Sequence, residues 1–122
     1  MIKYSKWYFI EKNNYLYQIK NIILFKMLAG GFDEVKEIDE EVKVLALNMK
    51  EKAEEILGET FKVFEPILYT TQVVAGTNYN IKVHIGDERF IHMKIYVPLP
   101  VYNKVNELIE CEGDKTLFDP LK

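Results

Sequence analysis

At Gly58 the hydrophobic period of this chain changes from that of a helix to that of a strand, and this switch most narrows the folds open to it. Upstream, Val35, Ile38, Val42, Leu45, Ala46, Met49, Ala53, Ile56 and Leu57 recur at the spacing of one helical face. Glu40, Glu41, Lys43, Lys50, Glu51, Lys52 and Glu54 fill the opposite side and read as its solvated face. The pattern predicts one long amphipathic helix over residues 33–57, with Asp33 or Asp39 as N-cap and Gly58 in the left-handed position that ends it.

Downstream the alternation is twofold. Phe61, Val63, Ile67, Tyr69, Thr71 and Val73 read as a strand with a break or bulge at Pro66. Tyr79, Ile81, Val83 and Ile85 make a second run, closed by the turn cluster Gly86, Asp87 and Glu88. Ile91, Met93, Ile95 and Val97 make a third. Leu108 to Cys111 supplies a last one, after a segment in which Pro98 and Pro100 remove backbone donors and end central pairing. A helix followed by sequential strands with short connections predicts an α+β domain, in which an antiparallel sheet of four to five strands wraps the helix and buries one apolar face against it.

Composition removes several function classes. A chain of 122 residues that is 48% hydrophobic has the profile of one globular domain. Its formal net charge of −3 supplies no broad cationic surface for a phosphate backbone, so nucleic acid is not expected as a partner. No apolar run approaches the roughly 18 residues of a membrane span. The single cysteine, Cys111, has no intramolecular partner for a disulfide and points to a reducing compartment, with the cytosol as the expected location.

Residues 1–26 differ from the rest in being rich in Lys, Asn, Ile and Tyr, without Pro or Gly. A basic start and the small residues Ala29 and Gly30 superficially fit a signal peptide, but Glu11, Lys12, Lys20 and Lys26 scatter charge through what would be its apolar stretch. The expected organisation is an extension, residues 1–26, outside a domain spanning residues 27–122, with Met27 as a candidate start.

The segment that the strand pattern leaves unexplained is Gln72, Val73, Val74, Ala75 and Gly76. A purely structural hairpin would use Asn-Gly or Asp-Gly there, whereas two valines, an alanine and a glycine make a small apolar tip suited to insertion. Leu28, Ala29, Gly30, Gly31 and Phe32 ahead of the helix, and Pro98, Leu99, Pro100 and Val101 between later strands, share that character. In a meander, alternate hairpin loops fall at the same end of the sheet, which places the loop at 73–76 beside that at 98–101.

These residues resemble the cystatins, and within them the stefins. Gln72 to Gly76 reads as the family's Q-V-V-A-G signature, Thr77, Asn78 and Tyr79 continue it, Gly86 and Asp87 fall at the expected turn, and Leu99 and Pro100 match the Leu-Pro of the second stefin hairpin. Met27 to Phe32 looks like a stefin start, with the family's glycine at Gly31 or Gly30. The resemblance covers residues 27–122 and is strongest over 72–100; it implies a cystatin-like fold and a tight, reversible inhibitor, active as a monomer, of papain-like cysteine proteases of the cathepsin type. In such an inhibitor Leu28, Ala29, Gly30 and Gly31 would form a trunk, Gln72, Val73, Val74, Ala75 and Gly76 a first hairpin, and Leu99, Pro100 and Val101 a second, all three wedged into the active-site cleft. Val101 and Tyr102 stand where stefins often carry a polar residue, and the Trp of many secreted cystatins is missing there.

Catalysis has a weaker basis. Cys111 with His84 or His92 is the only thiol and imidazole set, and Glu110 and Glu112 beside the thiol would raise its pKa. The two histidines, read as exposed strand residues able to approach one another across a hairpin, lack a third recognisable ligand for zinc, so neither cofactor nor metal is expected. The competing reading of another class is a non-inhibitory interaction scaffold on the same fold, or a domain-swapped dimer in which the 73–76 loop opens into a continuous strand.

Overall fold

The computed structural model of the protein describes residues 35–121. Strand β1 (Lys36–Glu37) precedes helices α1 (Glu40–Leu47) and α2 (Lys50–Leu57), and four strands follow: β2 (Glu65–Val74), β3 (Gly76–His84), β4 (Phe90–Pro98) and β5 (Glu107–Lys115). A 3-10 turn, Pro100–Tyr102, lies between the last two. The strands form one antiparallel sheet in the order β1-β2-β3-β4-β5.

The helical segment differs from the expected single helix at its start and at its middle. Asp39 fixes the start: its Oδ1 accepts the Val42 amide at 2.9 Å and its Oδ2 accepts the Tyr69 hydroxyl at 3.0 Å, so one carboxylate both caps α1 and joins it to β2. Burial, reinforced by that bond, raises the Tyr69 phenol to about 12, so it stays a donor at neutral pH. Val35 and Ile38 therefore precede the helix, flanking β1, whose two residues pair with Tyr69 and Leu68; Asp33, the other candidate cap, lies outside the described residues.

The break at Asn48 and Met49 carries no Pro or Gly to announce it. There the Met49 amide bonds the Ala46 carbonyl three residues back instead of four, a tightened turn that separates α1 from α2. Val42, Ala46, Met49 and Ala53 remain buried across it, whereas Ile56, expected in the stripe, is 56% exposed. Gly58 ends α2 at φ 72°, the left-handed conformation anticipated for it.

Strand β2 starts only at Glu65; Phe61 and Val63 lie in the approach to it. Phe61 is buried in the core, with its amide held by Glu54 Oε2 at 2.9 Å. The expected irregularity is present, a register shift between Pro66 and Leu68. Strand β5 extends to Lys115, well beyond Cys111.

One face of the sheet packs Tyr69, Ile81, Val83, Ile91, Met93 and Ile95 against the helices. The opposite face is also covered, contrary to the expectation of a single buried face. Leu68, Thr70, Asn80, Lys82, His84, Phe90 and His92 are all buried there, and the segment after β5, with Leu117 only 3% exposed, packs on this face at Lys82 and lines a cavity with Asn80 and His92.

Lys82, fully buried, holds that segment: its Nζ donates to the carbonyls of Thr116 at 2.7 Å, Leu117 at 3.1 Å and Asp119 at 2.8 Å. Burial lowers the Lys82 pKa to about 7 against the pull of the Asp119 charge, while three carbonyls around one nitrogen match the three donors of an ammonium and favour the charged form. The covering segment is tied to itself as well, since Asp119 Oδ2 accepts from the Thr116 amide at 2.7 Å.

His84 and His92 are buried strand residues, not exposed ones, and the register separates them: His84 pairs with Phe90 and His92 with Lys82. Burial, followed by the charges of Lys82 and Lys115, depresses the His92 pKa to about 3. A histidine whose folded pKa lies below its unfolded value binds fewer protons in the fold, so its contribution to stability is intact above about pH 6.5 and is lost progressively as pH falls toward 3. By pH 5 that loss amounts to about 2 kcal/mol. Urea unfolding at pH 7 and pH 5 is expected to show this acid loss in the wild type and a drop smaller by about that amount in His92→Gln.

Candidate functional site

Strands β2 and β3 are paired to their last residues. Val73 faces Thr77 and Val74 faces Gly76, which leaves Ala75 alone at the tip. The same strand β3 pairs with β4 down to Gly76 against Pro98, so the first hairpin tip and the start of the second connection lie side by side at one end of the sheet. The meander therefore joins loops 73–76 and 98–101 as their spacing implied.

Gly76 makes that closeness possible. It sits at φ 122°, a conformation that side chains rarely adopt, and a Cβ there would collide with the Val97 carbonyl oxygen, lie 3.0 Å from the Pro98 Cα and 3.1 Å from the Tyr96 ring. The missing side chain lets the β3 backbone press on β4 at the base of the second loop.

The surface so built is apolar and uncharged. Val73 is 88% exposed, and Val74, Ala75, Leu99, Pro100 and Val101 are exposed with it, while no charged residue occurs between Gln72 and Ile81 or between Ile95 and Asn103. An exposed apolar patch of this kind on a folded chain marks a contact surface. Gln72 is exposed on β2 opposite Asn78, one step behind the tip. In the second connection, Leu99 precedes the 3-10 turn; its carbonyl accepts from the Tyr102 amide and that of Pro100 from the Asn103 amide, each at 3.0 Å, and Asn103 turns the chain at φ 51°. Leu28, Ala29, Gly30 and Gly31 lie outside the described residues.

Sequence reasoning passed over Val105 and Tyr96, and named Tyr102 only as a departure from the stefin pattern. Tyr102 and Val105 extend the exposed apolar surface along the second connection, and Tyr96 donates its hydroxyl to the Ala75 carbonyl at the first tip. The available signal for Tyr96 was its phase: an aromatic residue in β4 out of step with Ile91, Met93, Ile95 and Val97, beside Pro98.

Elsewhere, Cys111 is half-buried opposite Met93, and burial, with Glu112 beside it, raises its thiol to about 11, so it is protonated at neutral pH. Among the described residues no group of three or more His, Cys, Asp or Glu side chains is arranged to hold a metal ion, and no helix is long and apolar enough to cross a membrane.

Comparison with known proteins matches residues 30–116 to the family described as Cystatin domain. The chain is 42% identical over 96 residues to Cystatin-B of Paralichthys olivaceus, an alignment covering 79% of this chain and 98% of the relative. It is 41% identical over 96 residues to Leukocyte cysteine proteinase inhibitor 1 of Sus scrofa, covering 79% and 93%, and 39% identical over 95 residues to Cystatin-A of Homo sapiens, covering 78% and 97%. With the helices and five-stranded antiparallel sheet already described, the chain belongs to the cystatin superfamily and, within it, to the stefin family of cysteine protease inhibitors.

The Gly76 geometry has a direct consequence for stability. Gly76→Ala is expected to lower the free energy of unfolding in urea by about 1–3 kcal/mol, because the new methyl group meets backbone on β4 and strains φ. An unchanged unfolding midpoint would mean that the two loops are not locked at this contact.

Proposed function

We propose that this protein is a reversible, tight-binding inhibitor of papain-like, cathepsin-type cysteine proteases, and that the edge formed by residues 73–76 and 99–101 wedges into the active-site cleft. The trunk Leu28, Ala29, Gly30 and Gly31 would complete the wedge from the N-terminal side of residues 27–122, with residues 1–26 as an appendage outside the domain. The observation that carries this reading is the uncharged apolar edge at one end of a sheet whose central strands bury residues on both faces, with Val73 88% exposed at its tip.

The chemistry of such an edge suits a protease cleft. Val73, Val74 and Ala75 exclude water around a catalytic thiolate, and a tip one residue long offers no extended peptide in register for cleavage. Burying a valine or leucine side chain contributes roughly 1.5–3 kcal/mol, against association costs of about 4–15 kcal/mol, so tight binding depends on an edge ordered before it docks. The ladder up to Val74 and Gly76 supplies that order. The monomer is the inhibitory form, because straightening 74–76 into a swapped strand would abolish the tip. The protein acts as an inhibitor and not as an enzyme, in keeping with a protonated Cys111, and its single cysteine fits residence in the cytosol.

The test is titration of papain and of a cathepsin L-like enzyme with the full chain, with residues 27–122, and with Val73→Asp. The wild-type domain is expected to inhibit at sub-micromolar concentration. Val73→Asp, which would bury an unpaired carboxylate, is expected to raise the inhibition constant at least about 100-fold without changing the melting temperature. A folded, monomeric wild-type protein inactive against both enzymes would overturn the reading, and equal inhibition by Val73→Asp would remove the first hairpin from the interface.

A further inference from the structure

The first tip is held by one side chain that the expected site did not include. Tyr96 lies on β4 opposite Asn78, in the phase that faces away from the helices, two residues before the Pro98 that pairs with Gly76. From there it reaches diagonally to the end of the β2–β3 hairpin, where its hydroxyl donates to the carbonyl of Ala75. Its ring passes beside Gly76, with Cε1 within 3.1 Å of where a Cβ would stand, so the absent side chain of Gly76 makes the slot that the ring occupies.

Ala75 is the one tip residue outside the strand pairing, and so the one without ladder hydrogen bonds to fix its peptide plane. We propose that Tyr96 is a positioning residue for inhibition: its hydroxyl pins the Ala75 carbonyl and holds the 73–76 tip in its docking shape before a protease arrives. The inference rests on the inhibitory reading above. It adds that the tip's shape comes from a third strand and not from the hairpin's own sequence alone. Strand β4, which also runs into the second loop, thereby orients both loops from one backbone. An unpinned tip would sample other arrangements and lose affinity by the fraction of time it spends in them.

The test uses the full chain and Tyr96→Phe, which keeps the ring in its slot and deletes only the hydroxyl. Loss of one hydrogen bond at an exposed tip is expected to raise the papain inhibition constant roughly five- to tenfold, with the melting temperature unchanged. The carbonyl 13C resonance of Ala75 is expected to move upfield in the free variant as its donor is lost, while resonances at the Gly86 turn, at the other end of the sheet, stay in place. Wild-type inhibition with an equal constant for Tyr96→Phe, or an unmoved Ala75 resonance, would overturn the positioning role and leave the inhibitory reading standing. A wild type that fails to inhibit overturns the inhibitory reading and this role with it. A fall in melting temperature matching the loss of inhibition would make Tyr96 a residue of general stability instead.

Discussion

The pairing of β3 with β4, continuous from His84 against Phe90 to Gly76 against Pro98, is the constraint on which the remaining structure depends. One phase of these two strands supplies Ile81, Val83, Ile91, Met93 and Ile95 to the core beneath the helices. The other supplies Lys82, His84, Phe90 and His92 to the layer beneath the C-terminal segment. The far end of the same ladder joins the two apolar loops. Because Gly76 is pressed onto Val97 and Pro98, a change in the ladder there alters packing and loop geometry together.

Covering the sheet on its second face has consequences for how firmly the edge is held. The helices are tied to β2 through Asp39 and Tyr69, and the C-terminal segment is tied to β3 through Lys82. Strands gripped from both sides have little freedom to bend, so an edge carried at their ends is ordered without a partner. That matters because a modest apolar surface binds tightly only when little conformational freedom remains to be lost. The uncharged stretches around the tip complete the design by leaving no charged group to be desolvated on docking.

Much of this was legible in the sequence, and the remainder was hidden for identifiable reasons. Twofold alternation located β2, β3 and β4, Pro66 announced the bulge, Gly58 the helix end, and the odd composition of 72–76 the exposed tip. The helix break at Met49 carried no Pro or Gly, because it arises from one shortened hydrogen bond that keeps Ala46 and Ala53 both buried. The second buried face was masked by its own residues: Asn80, Lys82, His84 and His92 look solvent-facing in an alternation pattern, and the return of the chain after β5 onto Lys82, beside Asn80 and His92, is not readable from that pattern. Tyr96 was missed because its phase in β4 marks it only as an aromatic residue facing away from the core, while its role depends on a diagonal contact to another hairpin.

The central claim is that the edge formed by residues 73–76 and 99–101 is the surface that meets the protease. Hydrogen–deuterium exchange of the full chain, free and bound to papain whose active-site thiol is blocked by a small group, tests it most directly. The account predicts slowed exchange concentrated at residues 73–77 and 99–103, with the exposed helix residues Val44, Leu47 and Ile56 unaffected. Protection centred on that helix face, or on the segment after β5, with the two loops unchanged, would contradict it.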